Sequence, residues 1–232
     1  MSKLFVFTAA VFFSSSSFCQ KSADRKATIR FNTVANGKQL ILSDGSYINE
    51  FGENYTISKL RYYISNLCFI TSSPAVTVKN TFLADAGKEN IFRIKKPSGE
   101  IKGITFQVGV DSLLNCSGAQ SGALDPLNDM FWTWNSGYVM FKLEGTGDSS
   151  HADLHRIEQH IGGYKGNYKS MRQVKLYFKN GVPDNLTIQL DLDKYWSGLN
   201  KIHIARTPII TTVGEGAKRS ADNFPGMFSI KQ

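Results

Sequence analysis

The chain has 232 residues, 41% of them hydrophobic and 20% charged; this ordinary globular composition excludes a disordered chain and a coiled coil, and the length allows a sizeable core. Its 27 Lys and Arg against 19 Asp and Glu leave a net charge of +8. The basic residues are spread along the chain, and the densest runs, RIKK at 93–96 and AKRS at 217–220, are short. That is the pattern of a solvated basic surface and not of a nucleic-acid footprint.

Residues 1–19 read as a signal peptide: MSK gives a positive start, LFVFTAAVFF an apolar run, and SSSSFCQ places small Ser17 and Cys19 before a cut ahead of Gln20. The run is too short to span a bilayer. Phe18 stands where a lipidated cysteine needs a small neighbour, so simple cleavage is favoured over a lipid anchor on Cys19. No later segment is apolar enough to cross a membrane. The expectation is an exported protein, periplasmic or secreted and not membrane-spanning, with one domain over 20–232. Export leaves Cys68 and Cys116, either as one disulfide or as two thiols.

The hydrophobic period is mostly two. KATIRFNTV alternates around Ile29, Phe31 and Thr33, and YTISKLRYYISNLCFI through Ile57, Leu60, Tyr62 and Ile64. IKGITFQVGV sets Ile104, Phe106, Val108 and Val110 on one face. A first short helix is expected in VDSLLN, where Asp111 and Ser112 suit an N-cap. The long loop NCSGAQSGALDPLNDM follows, rich in Gly, Ser and Asn, and leads straight into Trp132; long ordered loops in compact domains often carry function. GYVMFKLEG then puts Tyr138, Met140 and Lys142 on one face and Val139, Phe141 and Leu143 on the other.

A second helix is expected in SSHADLHRIEQHIGG, ended by Gly162 or Gly163. QVKLYF and NLTIQLDLD read as strands of a hairpin whose loop carries Gly181 and Pro183, and NKIHIA as a further strand. Turn residues punctuate the strands at ANGK, SDGS, PSGE, KNGVPDN and YWSGLN. This predicts an all-β fold, an antiparallel β-sandwich with long loops and one or two short helices.

The chain lacks Gly-x-Ser-x-Gly, a P-loop, His-Glu-x-x-His and Cys-x-x-Cys. Asp191 and Asp193 share a face if both lie on a strand, where a solvent face is the simpler reading than a calcium or acid-catalysis site. The four histidines are His151, His155, His160 and His203. His151 and His155 would share one face of a helix and could clasp a metal, although a polar surface explains them as well. His160 stands at an element boundary before two glycines that permit close backbone approach. His203 points away from Ile202 and Ile204 on its expected strand. Imidazoles combined with soft sulfur or an electron-rich ring suit copper better than magnesium or calcium, and Met130, Trp132 and Trp134 supply the candidates. Trp132 and Trp134 would also share a strand face as an aromatic core pair.

Several blocks in order, FGENYTISKLRYYISNLCFI, GVDSLLNCSGAQSGALDPLNDMFWTWNSGYVMFKLEG, QHIGGY and ADNFPGMFSI, resemble the MbnP-like family of exported bacterial proteins, copper-binding and methanobactin-associated relatives among them. The resemblance runs from about residue 28 to 230. It implies a β-sandwich tied to copper handling, in which copper sits between two histidines and a tryptophan oxidised to kynurenine by a di-haem peroxidase-like partner. Carried over by position, Trp132 matches the oxidisable tryptophan and His160 the histidine of the His-x-Gly block. Trp134 stands where a histidine would be expected two residues after Trp132. The second imidazole is then best supplied by His203, with His151 or His155 behind it. The metal-site candidates are therefore His160, Trp132 and His203, for a copper ion. With no general acid, nucleophile or cleft evident, the function implied is binding, in copper acquisition or trafficking, and not enzymatic. The alternative is a metal-free extracellular binding module on the same scaffold.

Overall fold

The computed structural model describes residues 26–72, 77–78, 80–133, 136–179 and 181–231. Residues 1–25, with the expected signal peptide and Cys19, and Trp134 lie outside them. The strands run in order as β1 (Lys26–Ala35), β2 (Lys38–Gln39), β3 (Tyr47–Ile48), β4 (Asn54–Thr71), β5 (Thr77–Val78), β6 (Phe82–Asp85), β7 (Asn90–Lys95) and β8 (Ile101–Val108). After helix α1 (Ser112–Cys116) come β9 (Phe131–Thr133), β10 (Gly137–Thr146), β11 (Arg156–Gly162), β12 (Arg172–Tyr177) and β13 (Asn185–Asp191). The chain ends with α2 (Asp193–Ser197), β14 (Ile209–Ile210), α3 (Glu215–Ala221), α4 (Phe224–Met227) and β15 (Phe228–Lys231).

Two sheets form a β-sandwich. The smaller runs β15-β13-β1-β2, with β7 also on β1, and the larger runs β12-β8-β4-β10-β11-β14, with shorter strands β3, β5, β6 and β9 on β4 or β10. Most pairings are antiparallel; β1 with β13 and β11 with β14 are parallel. The main core lies between the sheets. Ile29 and Phe31 of β1 and Ile188 and Leu190 of β13 meet Ile104 and Phe106 of β8 and Phe141 of β10. Rings of Phe31 and Phe106 meet edge to face with centroids 5.4 Å apart, a favoured aromatic geometry.

β4 keeps its apolar side inward by means of an extra residue. Glu144 pairs with Lys59 but Gly145 pairs with Ile57, so Ser58 is bulged out. The bulge lets Ile57 and Leu60, three apart, both face the core, each fully buried. A second irregularity between Ser65 and Cys68 does the same for Ile64 and Leu67.

The short helix expected after Asp111 is α1, and the Asp111 side chain accepts from Leu113 N–H at its N-cap. Other local expectations are overturned. Residues 156–162 form strand β11, preceded only by a 3₁₀ turn over Asp153–His155. Buried Gln159 masks the alternation there, because its side chain bonds Tyr195 Oη and the carbonyl oxygens of Thr207 and Pro208. His151 and His155 therefore share no helix face; His155 is exposed, its Nδ1 3.0 Å from the Ser150 carbonyl oxygen. The QVKLYF and NLTIQLDLD strands form no hairpin: β12 joins β8 in the large sheet and β13 joins β1 in the small one. NKIHIA is a turn region, because the Glu53 carboxylate takes the backbone N–H groups of Ile204 and Ala205. Asp191 ends β13 and Asp193 opens α2, so the two do not share a strand. Cys68 is a buried thiol and Cys116 an exposed one, with no bridge between them.

Candidate functional site

β10 is buried on both faces from Tyr138 to Leu143. Its inner side meets the core and its outer side is covered by the segment from α1 to β9. That cover has a small core of its own, in which Leu124, Met130, Phe131 and Trp132 lie with Tyr63, Val110, Tyr138 and Val139. Hydrogen bonds fix it to the strand. The Tyr138 N–H donates to Asn115 Oδ1 at 2.9 Å, the Tyr138 hydroxyl to the Leu124 carbonyl at 2.7 Å, and the Val139 N–H to the Met130 carbonyl at 2.9 Å.

This cover delivers Trp132 to the sheet. A Cβ added at Gly162 would stand 2.6 Å from Trp132 Cζ3 and 2.9 Å from Cη2. The absence of a side chain at Gly162 is therefore what lets the indole lie on β11. His160 stands two residues before Gly162 on the same strand, hence on the same face. Trp132 therefore meets β11 two residues from His160 and on the same face, and both are half-buried.

Beneath His160 lies an ionic cluster. His160 pairs across the sheet with Lys142 of β10, which in turn pairs with Arg61 of β4. The His160 Nε2 is 2.8 Å from Glu144 Oε1. Lys59 Nζ sits 3.0 Å from both Glu144 Oε2 and Asp129 Oδ2. Lys142 Nζ sits 3.0 Å from Asp129 Oδ2 and 3.7 Å from Glu144 Oε1. The hydrogen bond with His160, helped by Lys59 and Lys142 against the opposing effect of burial, lowers the Glu144 carboxyl to about 2. For Asp129, burial alone would raise the pKa, but hydrogen bonds from Lys142 and Lys59 outweigh it and hold the carboxyl below its ordinary value.

His203 is elsewhere. Its ring lies against Phe51 with centroids 3.9 Å apart and planes tilted by 32°, near Glu53 just before β4. His160 is level with Arg61, seven residues on from Asn54, which is roughly 20 Å along the strand at about 3.3 Å per residue. The structure places Trp132 on the strand face that carries His160 and leaves His203 roughly 20 Å along the strand from that level. Among the described residues no group of three or more His, Cys, Asp and Glu side chains is placed to hold a metal ion. The 2.8 Å between His160 Nε2 and Glu144 Oε1 is that of a hydrogen bond, and both groups are donors a metal could take only in its place. Trp132 would add a nitrogen donor only after its ring is opened to an aryl amine.

Sequence reasoning named Trp132 and His160, which the structure places on one strand face, and did not single out Lys59, Asp129, Lys142, Glu144 or Gly162, which surround them. One signal was present: in GYVMFKLEG, Lys142 stands at a position flanked by apolar residues in a strand, where an ammonium needs a partner.

The MbnP family model matches residues 24–213. Among solved structures, MbnP from Methylosinus trichosporium superposes with a TM-score of 0.57 at 16% identity, over 76% of this chain and 79% of that one. At that identity the likeness speaks for the fold alone. No curated protein matches. The two-sheet sandwich agrees with that fold, and with the family match covering most of its length, the chain belongs to the MbnP family.

Proposed function

We propose that this chain is an exported copper-handling protein, acting in copper acquisition or trafficking as a binding protein and not as an enzyme, with Trp132 and His160 at its site. Family membership supports the copper link. The observation that carries the placement is the Trp132 indole lying over Gly162, beside His160 on one sheet face. His160 would supply an imidazole, a nitrogen donor that copper favours, and Glu144 the adjacent oxygen. The partner in this reading is a di-haem peroxidase-like protein that oxidises Trp132 to kynurenine.

A second reading, a metal-free extracellular binding module, is favoured by the two ammonium groups of Lys59 and Lys142 against Glu144, which oppose an added cation. Copper titration of purified wild type and His160→Ala separates the two. Stoichiometric binding lost in His160→Ala supports the copper site, and the Trp132 peptide should then gain the mass of the tryptophan-to-kynurenine change when the oxidising partner is present. Absence of binding, or binding indifferent to His160, leaves the metal-free module.

A further inference from the structure

We infer that Asp129, Lys142 and Lys59 form an ionic clamp that positions Trp132 against His160; the functional side of this inference rests on the copper reading above. Lys142 is only 4% exposed. A buried ammonium is tolerated when it is paired and becomes costly when it is not. The partner it reaches at 3.0 Å, Asp129, belongs to the cover segment and not to the sheet. Lys59, from the neighbouring strand β4, grips the same Asp129 oxygen from a second side.

Asp129 sits where the cover turns back to the sheet. It closes the 3₁₀ turn Pro126–Asn128 in the left-handed conformation, with φ 57° and ψ 35°. The next residue, Met130, is fully buried and accepts the Val139 N–H, and Trp132 follows two residues later. The Arg61 guanidinium adds a bond to the Asn128 carbonyl at 2.9 Å. The point at which the cover rejoins β10 is thus set by cations rooted in β4 and β10. The same two lysines hold Glu144, and Glu144 holds His160. One lattice therefore touches the segment that carries Trp132 on one side and His160 on the other. Asp129 and Lys142 are positioning residues in this arrangement: they act through the backbone leading to Trp132 and through Glu144.

The test uses protein labelled with 5-fluorotryptophan and fluorine NMR, with the Trp132 resonance identified in Trp132→Phe. Asp129→Asn removes the charge from a surface-facing loop side chain, and Lys142→Met replaces the buried ammonium with an apolar group of similar length. Both variants should shift or broaden the Trp132 resonance and leave that of core Trp196 in place, and Lys142→Arg should restore part of the wild-type position. Copper affinity should fall about tenfold or more in Asp129→Asn, as for partners that orient a metal ligand. A Trp132 resonance unmoved in both Asp129→Asn and Lys142→Met overturns the clamp. A resonance that moves in protein that binds no copper in any form upholds the clamp and sinks the copper reading.

Discussion

Gly162→Ala is the most direct probe of the Trp132 corner. The added Cβ would lie 2.6 Å from Trp132 Cζ3, 2.9 Å from its Cη2 and 2.8 Å from the Tyr138 carbonyl oxygen. The carbonyl belongs to the neighbouring strand and cannot retreat without moving β10. The indole can retreat only by leaving its seat. Gly162 has no left-handed backbone angle, so alanine meets no conformational penalty and the contacts alone decide. Overpacking of this kind costs about 1–3 kcal/mol. For a domain of this size that lowers Tm by about 2–12 °C, at roughly 2–4 °C per kcal/mol. Thermal denaturation by circular dichroism reads the shift. Gly216→Ala is the control, because its Cβ would meet Ile210 at an ordinary 3.5 Å within α3, and it should be neutral or stabilising by about 0.4–1 kcal/mol. In a Trp132→Ala background two of the three close contacts vanish, so the cost of Gly162→Ala should fall by at least about 0.5 kcal/mol, the coupling of residues in contact. Equal penalties in both backgrounds, or no penalty at all, would refute the placement of the indole on Gly162.

The Glu144 carboxyl is held at about 2 against an ordinary 4.5. Its folded pKa is depressed, so its stabilisation is complete above the ordinary value and is lost as pH falls from there toward 2. Glu144→Gln should remove about 2–3 kcal/mol of pH-dependent stability across that window in urea melts; an unchanged acid limb would count against the His160–Glu144 contact. Glu53→Ala orphans the amides of Ile204 and Ala205 and should destabilise by about 2–4 kcal/mol, with faster hydrogen exchange at those two amides as the specific sign. Asn223 is 1% exposed and its amide joins the Tyr195 and Asn200 carbonyls and the Asn200 N–H. Asn223→Ala should cost about 3 kcal/mol, and wild-type stability in that variant would remove the amide as the tie between α2 and α4. Gly145→Ala should not yield folded protein, because its Cβ would stand 1.9 Å from the Thr56 carbonyl oxygen.

Period-two patterning made the sandwich legible, because the long strands present alternate apolar residues to one core. Ile29, Phe31, Ile104 and Phe106 are all buried where the alternation placed them. The Asp111 cap was legible too, since its signal is local. What failed was decided by contacts distant in sequence. β11 looked helical because a buried glutamine stands at an inward position, and only its bonds to Tyr195, Thr207 and Pro208 make that position tolerable. The 200–205 segment looked like a strand, yet the amides of Ile204 and Ala205 are claimed by Glu53, some 150 residues earlier. The supposed hairpin over 174–193 scattered because both strands had better partners elsewhere, β8 and β1. In the candidate site, Trp132 and His160 carried a chemical signal of their own. Gly162 and the lysine–carboxylate lattice carried meaning only once the cover had been laid over β10.

The parallel pairing of β1 with β13 also sets the order of events during folding. Thr28 pairs with Asn185 and Val34 with Asp191, so the smaller sheet joins the first described strand to one more than 150 residues later. Closing so long a loop costs entropy before any contact repays it, and topologies dominated by such pairings fold slowly. β1 has β7 to wait beside, but its other edge stays open until β13 has been made. A growing chain therefore carries an exposed, half-apolar strand through most of its synthesis. An unpaired strand edge of that kind invites association with other chains, so conditions that keep the chain extended until residue 191 is available will favour the native sandwich over aggregates.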